Sequence, residues 1–223
     1  MARTARASQG GILYHVLNRG NGRVRVFKSD EDYGEFLDLI GEATARLPMR
    51  LLGFCLMPNH FHLVLWPHED GDLGRWMQWL LTSHVRRHHR LYRSSGHVWQ
   101  GRFKAFPIQE DAHLLAVLRY VERNPLRANL VRHAEAWPWS SLSAIGKGRQ
   151  PLELHPSPVD RPKDWRKFVN EPQTESEVEA LRRSVMRGSP FGEGRWSVKM
   201  AARLGLEASL RPRGRPRNQR AEK

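Results

Sequence analysis

The stretch Met57-Pro58-Asn59-His60-Phe61-His62-Leu63-Val64-Leu65-Trp66 leaves this chain few options. Residues 49–56 form a largely apolar run, Pro58-Asn59 is a tight-turn pair, and strand-forming residues follow. Two strands joined by a short turn are therefore expected, the second over 60–66. Strand side chains point alternately to opposite faces, so His60 and His62 share one face and Phe61, Leu63 and Leu65 the other. The apolar set can seat on a core, which leaves two imidazoles side by side. Two neutral imidazoles do not close a metal site, so another ligand must come from elsewhere in the chain. The same spacing also suits polar strand residues facing solvent, and the motif alone does not choose.

The flanking sequence builds around this pair. Residues 12–17 are β-prone and turn at Gly20-Asn21-Gly22. Ser29, followed by Asp30, Glu31 and Asp32, has the character of a helix N-cap with acids at the positive end of the dipole. Tyr33, Phe36, Leu37, Ile40 and Leu47 then follow helical spacing up to Pro48. A longer helix opens at Gly71-Asp72, with Leu73, Trp76, Met77, Leu80, Leu81, His84 and Val85 as its stripe and Arg86, Arg87, Arg90 and Arg93 at its far end. A fourth strand is expected over 97–108, where Trp99, Gly101 and Phe103 alternate with Gln100, Arg102 and Lys104. Such a polar face beside a histidine strand would make a floor for a DNA backbone, or simply a solvated surface.

The order strand, helix, strand, strand, helix, strand defines the expected fold class. It is α+β, a ferredoxin-like split βαβ sandwich: an antiparallel sheet with helices on one face, plus a helical, basic C-terminal extension. A third helix should start at Asp111, with Leu114, Val117, Leu118 and Val121 as its core stripe. Tyr120 and Asn124, four apart, lie one above the other on its flank, and Asn124-Pro125 should end or bend it. Taken alone, Tyr120 reads as a half-buried packing residue. Residues 1–142 are expected to form one domain. Residues 143–210 read as a Pro-rich connector with short helices over Glu175–Arg187 and 196–206, and residues 211–223 as a basic tail. Arg213, Arg215 and Arg217 sit in Arg-Pro-Arg-Gly-Arg-Pro-Arg, whose core resembles an AT-hook that enters the minor groove; a cationic tail with general phosphate affinity has the same composition.

Charge narrows the partner. The net charge is +14, with thirty Arg against seven Lys, and guanidinium groups match phosphate with a two-pronged fork. Nucleic acid is the partner this implies. Cys55 is the lone cysteine, which excludes an intrachain disulfide and a Cys-based zinc cluster. No apolar run is long enough to span a bilayer, and residues 1–11 lack a signal-type apolar block, so a soluble, cytoplasmic protein associated with the nucleoid is expected.

Four segments occur in order: Tyr14-His15-Val16-Leu17-Asn18-Arg19-Gly20-Asn21, Met57-Pro58-Asn59-His60-Phe61-His62, Trp99-Gln100-Gly101-Arg102-Phe103 and Tyr120-Val121-Glu122-Arg123-Asn124-Pro125. Together they resemble the single-tyrosine HUH transposases, and among them the REP-associated tyrosine transposases of bacteria, over about residues 10 to 142. Gly188-Ser189-Pro190-Phe191-Gly192 and the Gly-Arg-Pro tail resemble a C-terminal extension in part of that family. The resemblance implies that His60 and His62 hold a divalent metal, Mg²⁺ or Mn²⁺, and that Tyr120 is the nucleophile in preference to Tyr14, Tyr33 and Tyr92. It places Asn124 as a third ligand, where many transposon-borne relatives have Gln. The implied reaction is cleavage and rejoining of single-stranded DNA through a 5′-phosphotyrosine link, with no nucleotide cofactor. Its implied substrates are imperfect palindromes that fold into hairpins, acted on by a monomer or a homodimer. Candidate DNA contacts are Asn18, Arg19, Arg23, Arg25, Arg86, Arg87, Arg90, Arg102 and Lys104, with the tail arginines. Competing readings are a non-catalytic DNA-binding protein, an RNA-binding domain of the same sandwich class, and a zinc hydrolase. The last lacks a further His or carboxylate at fixed spacing, and the sheet face that an RNA binder would line with aromatics carries histidines and Arg102.

Overall fold

The computed structural model describes residues 8–144 and 152–211. Four strands, β1 (Leu13–Arg19), β2 (Met49–Met57), β3 (His60–Pro67) and β4 (Lys104–Ile108), form one sheet in the order β2-β3-β1-β4. Every pairing is antiparallel. Helix α1 (Asp30–Arg46) joins β1 to β2 and α2 (Asp72–Tyr92) joins β3 to β4, which is the expected split arrangement. Beyond the sheet come α3 (Ala112–Glu122), the short α4 (Asn124–Arg127) and α5 (Ser141–Ala144), then α6 (Trp165–Asn170), α7 (Glu175–Arg187), α8 (Gly194–Leu204) and α9 (Glu207–Leu210).

Local chemistry sets the boundaries. Asp32 Oδ2 accepts from the backbone N–H groups of Lys28 and Ser29, at 2.7 and 3.1 Å, and so closes the start of α1. That helix ends where Leu47 turns to extended backbone ahead of Pro48. In α7, Thr174 Oγ1 accepts from Glu177 N–H at the start, and Gly188 takes the left-handed conformation at the end.

The two helices of the βαββαβ unit lie on one face. Tyr14, Val16, Phe54, Leu56, Phe61 and Leu63 meet Phe36 and Ile40 of α1 and Trp76 and Leu80 of α2 there. The other face is covered too, by α3 and the C-terminal helices: Leu13, Leu52, Cys55, Val64 and Phe106 pack on Leu114, Val117, Leu118 and Val121, and beyond them on Trp165, Val169 and Leu181. The central strands are therefore buried on both sides, which is why they read as apolar runs rather than clean alternations. Helix α3 comes close to the sheet at Gly53, where β2 shifts register; a Cβ at Gly53 would stand 2.7 Å from Leu118 Cδ2. Glu122 fastens the end of α3. Buried and pushed up in pKa by that burial, it accepts from Ser141 Oγ at 2.7 Å and Trp165 Nε1 at 2.6 Å.

The fourth strand is shorter than the expected 97–108. Trp99 and Phe103 do enter the α1/α2 core, but the chain between them bends at Gly101, whose φ of +143° only glycine adopts readily. Residues 97–103 are consequently a loop, held by one bridge from Trp99 to Gly20 and by Gln100 N–H donating to Arg19 O at 2.8 Å. Phe191 pairs alongside the end of β4, its N–H donating to Pro107 O at 2.9 Å, and partly covers that open edge.

Candidate active site

At one end of the sheet, on the α3 side, side chains from all four strands and from α3, α4 and α7 line a cleft of about 670 Å³. His60 and His62 come from β3, Asn18 and Arg19 from β1, Tyr120 from α3, Asn124 and Arg127 from α4, and Arg182 and Met186 from α7; Gln100 and Arg102 add the loop before Lys104. The alternation of β3 is the direct cause. With Phe61 and Leu63 buried against α1 and α2, His60 and His62 must face α3.

The His60 and His62 rings are 5.0 Å apart between centroids, and the Tyr120 ring stands edge-on to His62 at 6.0 Å. His60 Nδ1 lies 2.6 Å from Asn59 Oδ1, an atom that can only accept, so Nδ1 carries the proton and Nε2 keeps its lone pair. His62 Nδ1 lies 2.8 Å from Nε2 of His15, a fully buried histidine on β1. Burial holds all three rings uncharged. It lowers His15 to about 3 and His60 to about 4, the latter helped by Arg19 and Arg127, and takes His62 well below its ordinary value.

Arg127 organises the tyrosine side. Its guanidinium stacks 4.1 Å from the Tyr120 ring centroid, and its Nη2 donates to Asn124 Oδ1 at 2.7 Å and to Tyr120 O at 3.3 Å. The chain permits this because the helix breaks at Arg123 and restarts with Pro125 in the first turn of α4, as Asn124-Pro125 leads one to expect. The other three tyrosines are placed elsewhere. Tyr14 and Tyr33 belong to the α1/α2 core, and Tyr92 donates to Asp32 Oδ2 at 2.6 Å. Burial pushes the hydroxyls of Tyr14 and Tyr33 up to about 12, and burial together with Asp32 does the same to Tyr92.

The donors left unengaged at this end of the sheet are imidazole nitrogens and one amide oxygen. Among the described residues no three His, Cys, Asp or Glu side chains converge to hold a metal. The Nε2 atoms of His60 and His62 are left over after their Nδ1 contacts, and Asn124 Oδ1 has a second lone pair beyond the one Arg127 uses. Asn124 Nδ2 is buried without a hydrogen-bond partner among the described residues, so Arg127 is what orients the amide. Two imidazoles, one amide oxygen and no thiolate suit Mg²⁺ or Mn²⁺ with water completing the shell.

The remaining candidates divide. Arg19, Arg102 and Lys104 line the cleft with the tyrosine and histidines. Asn18 lines it as well, but its amide ties the loop down, Nδ2 donating to Gly101 O at 3.0 Å and Oδ1 accepting from Arg19 N–H at 2.9 Å. Arg23 and Arg25 are exposed on the turn after β1, where Arg23 O accepts from Asn59 Nδ2 at 3.1 Å, just outside the cleft. Arg86, Arg87 and Arg90 are not brought to it: α2 packs on the opposite sheet face, and Arg87 pairs with Glu42 of α1 at 2.6 Å. Arg213, Arg215 and Arg217 lie outside the described residues. Three members of the site went unnoticed in the sequence. His15 needs the strand register to be found, and Arg182 needs the tertiary fold. Arg127 had a local signal, since it follows Tyr120 by seven and Asn124 by three on one helical face.

The IS200-like transposase family model matches residues 8–124, from just before β1 to Asn124. The chain belongs to that family. A curated relative from Haemophilus influenzae, named as a REP-associated tyrosine transposase, is 29% identical over 146 residues, covering 60% of this chain and 81% of the relative. The solved structure of a REP-associated tyrosine transposase bound to a REP hairpin has the same fold, with a TM-score of 0.56 at 18% identity over 78% of this chain and 99% of its own. Among the described residues no helix is long and apolar enough to cross a membrane.

Proposed function

We propose that this protein is a single-strand DNA endonuclease and strand transferase acting on hairpin-forming repeats, with Tyr120 as its nucleophile. The observation that carries the reading is placement: of four tyrosines, Tyr120 alone shares a cleft with the paired histidines and a set of arginines. Family membership and the REP hairpin of the similar structure support hairpin DNA as the partner. One chain supplies both the histidines and the tyrosine of the cleft.

In the proposed reaction the Tyr120 hydroxyl oxygen attacks the phosphorus of a phosphodiester in single-stranded DNA. The new bond is a 5′-phosphotyrosine link, the P–O3′ bond breaks, and the proton lost from the tyrosine hydroxyl balances the one the departing oxygen takes up to become a free 3′-OH. Attack by a 3′-OH on the linked phosphate reverses the step and restores the tyrosine, so no ATP is consumed. His60, His62 and Asn124 would hold Mg²⁺ or Mn²⁺, whose chemistry when bound is to withdraw charge from the scissile phosphate. Arg127 holds the Tyr120 ring in place by stacking, while Arg19, Arg102 and Lys104 bind backbone phosphates on either side.

The test is incubation with single-stranded hairpin oligonucleotides from repeats flanking the gene, with Mg²⁺ or Mn²⁺ and then with chelator. A protein–DNA adduct that survives denaturation, and disappears in Tyr120→Phe and in chelator, is expected. Tight hairpin binding by wild type without any adduct would replace this reading with that of a non-catalytic DNA-binding protein.

A further inference from the structure

His15 stands behind His62 rather than in the cleft. Leu17 is the register partner of His62, which makes His15 its diagonal neighbour on the same sheet face. Both side chains are buried, at 0% and 3% exposure, and their rings lie edge to edge with planes 25° apart, centroids at 4.9 Å and His15 Nε2 at 2.8 Å from His62 Nδ1. Phe106 closes on His15 edge-first, also at 4.9 Å. The second nitrogen, His15 Nδ1, is buried with no hydrogen-bond partner among the described residues.

Two uncharged imidazoles can share that contact in only two ways, because each has one N–H and one lone pair. When His15 Nε2 donates, His62 Nδ1 accepts and the His62 proton sits on Nε2, toward the cleft. When His62 Nδ1 donates, its Nε2 lone pair faces the cleft and the His15 proton sits on Nδ1, where it meets no acceptor. An unsatisfied buried N–H is destabilising, so the first arrangement prevails in the absence of a cation. Only the second lets His62 act as a ligand. His60 faces no such conflict, since Asn59 Oδ1 fixes its proton on Nδ1 in every state.

We propose that His15 is a positioning residue for His62, and that the hydrogen bond between them reverses direction when a divalent cation is taken up. The shared proton crosses from His15 Nε2 to His62 Nδ1, His62 gives up its Nε2 proton, and His15 takes one on Nδ1, so no net proton is released. The inference rests on the reading of His60 and His62 as metal ligands.

Full-length protein labelled with ¹⁵N-histidine tests both separately, through two-bond ¹H–¹⁵N NMR spectra recorded metal-free and with Mg²⁺ alone. In the metal-free protein His15 and His62 are expected as Nε2–H forms and His60 as Nδ1–H; with Mg²⁺ all three should be Nδ1–H. Movement of His60 and His62 signals while His15 keeps one form would overturn the reversal and leave the metal site standing. Signals that ignore Mg²⁺ at all three positions would overturn the metal reading, and this inference with it. In His15→Phe, similar in size and shown to be folded by its thermal midpoint, the metal-free His62 Nδ1 signal should shift to that of a nitrogen without a hydrogen-bond donor; a folded variant in which that signal and the Mn²⁺ affinity by EPR both match wild type would remove His15 from any positioning role.

Discussion

Arg127 does at the residue scale what no single motif residue does. It touches the proposed nucleophile by stacking and the proposed ligand Asn124 by a hydrogen bond, so one side chain sets both. Arg127→Met keeps much of the stacking surface and loses the donor. Cleavage of hairpin DNA by this variant should slow by about 10- to 100-fold, the range for groups that orient a ligand, with a smaller change in hairpin affinity; an unchanged single-turnover rate would contradict the role. The buried histidines make a second prediction. His15 and His84 are lowered to about 3 and His60 to about 4, each mainly by burial. Their folded values lie below the ordinary 6.5, so as pH falls the unfolded chain takes up protons first. Their contribution is whole above about 6.5 and is lost progressively toward 4 and 3. Urea denaturation at pH 7.5, 6 and 5 should show the midpoint falling at each step, and a flat midpoint would count against the burial of these rings. His60 and His62 were legible because strand alternation is a local rule. His15 was not, since a diagonal pair exists only once the register of β1 on β3 is known.

At the scale of elements, the site depends on how closely α3 lies on β2. Gly53 permits that approach and Glu122 secures the end of the helix. Gly53→Ala places a methyl against Leu118 and should cost about 1–3 kcal/mol of stability, as overpacking does. It should also slow cleavage while leaving hairpin binding near wild type, because Tyr120 shifts and the arginines of β1 and the 97–103 loop do not. Denaturation curves and single-turnover assays on the same preparation check this, and equal losses in binding and cleavage would contradict it. The element order and the break at Asn124-Pro125 were visible in spacing and in one proline. The length of β4 was not, because alternation of Trp99, Gly101 and Phe103 fits a strand and a core-plugging loop equally, and the φ of Gly101 decides.

Across the whole molecule, one helix from beyond the sheet, α7, contributes to the cleft. Leu181 of α7 is buried in the α3-side core, and its neighbour Arg182 reaches the cleft. Nothing local in residues 175–187 announces this, since the helix reads from its own periodicity as any amphipathic surface helix would. Arg182→Ala should reduce the dependence of log K on log salt for hairpin binding by about 0.7 to 0.9, the share of one phosphate contact; an unaltered slope would place Arg182 off the DNA. The central claim is narrower: one tyrosine of four forms the bond to DNA. The most direct measurement is to trap the adduct on a hairpin oligonucleotide, digest both components, and locate the nucleotide-bearing residue by tandem mass spectrometry. The account predicts a phosphonucleotide on Tyr120. The same mass on Tyr14, Tyr33 or Tyr92, or on no tyrosine at all, would contradict it.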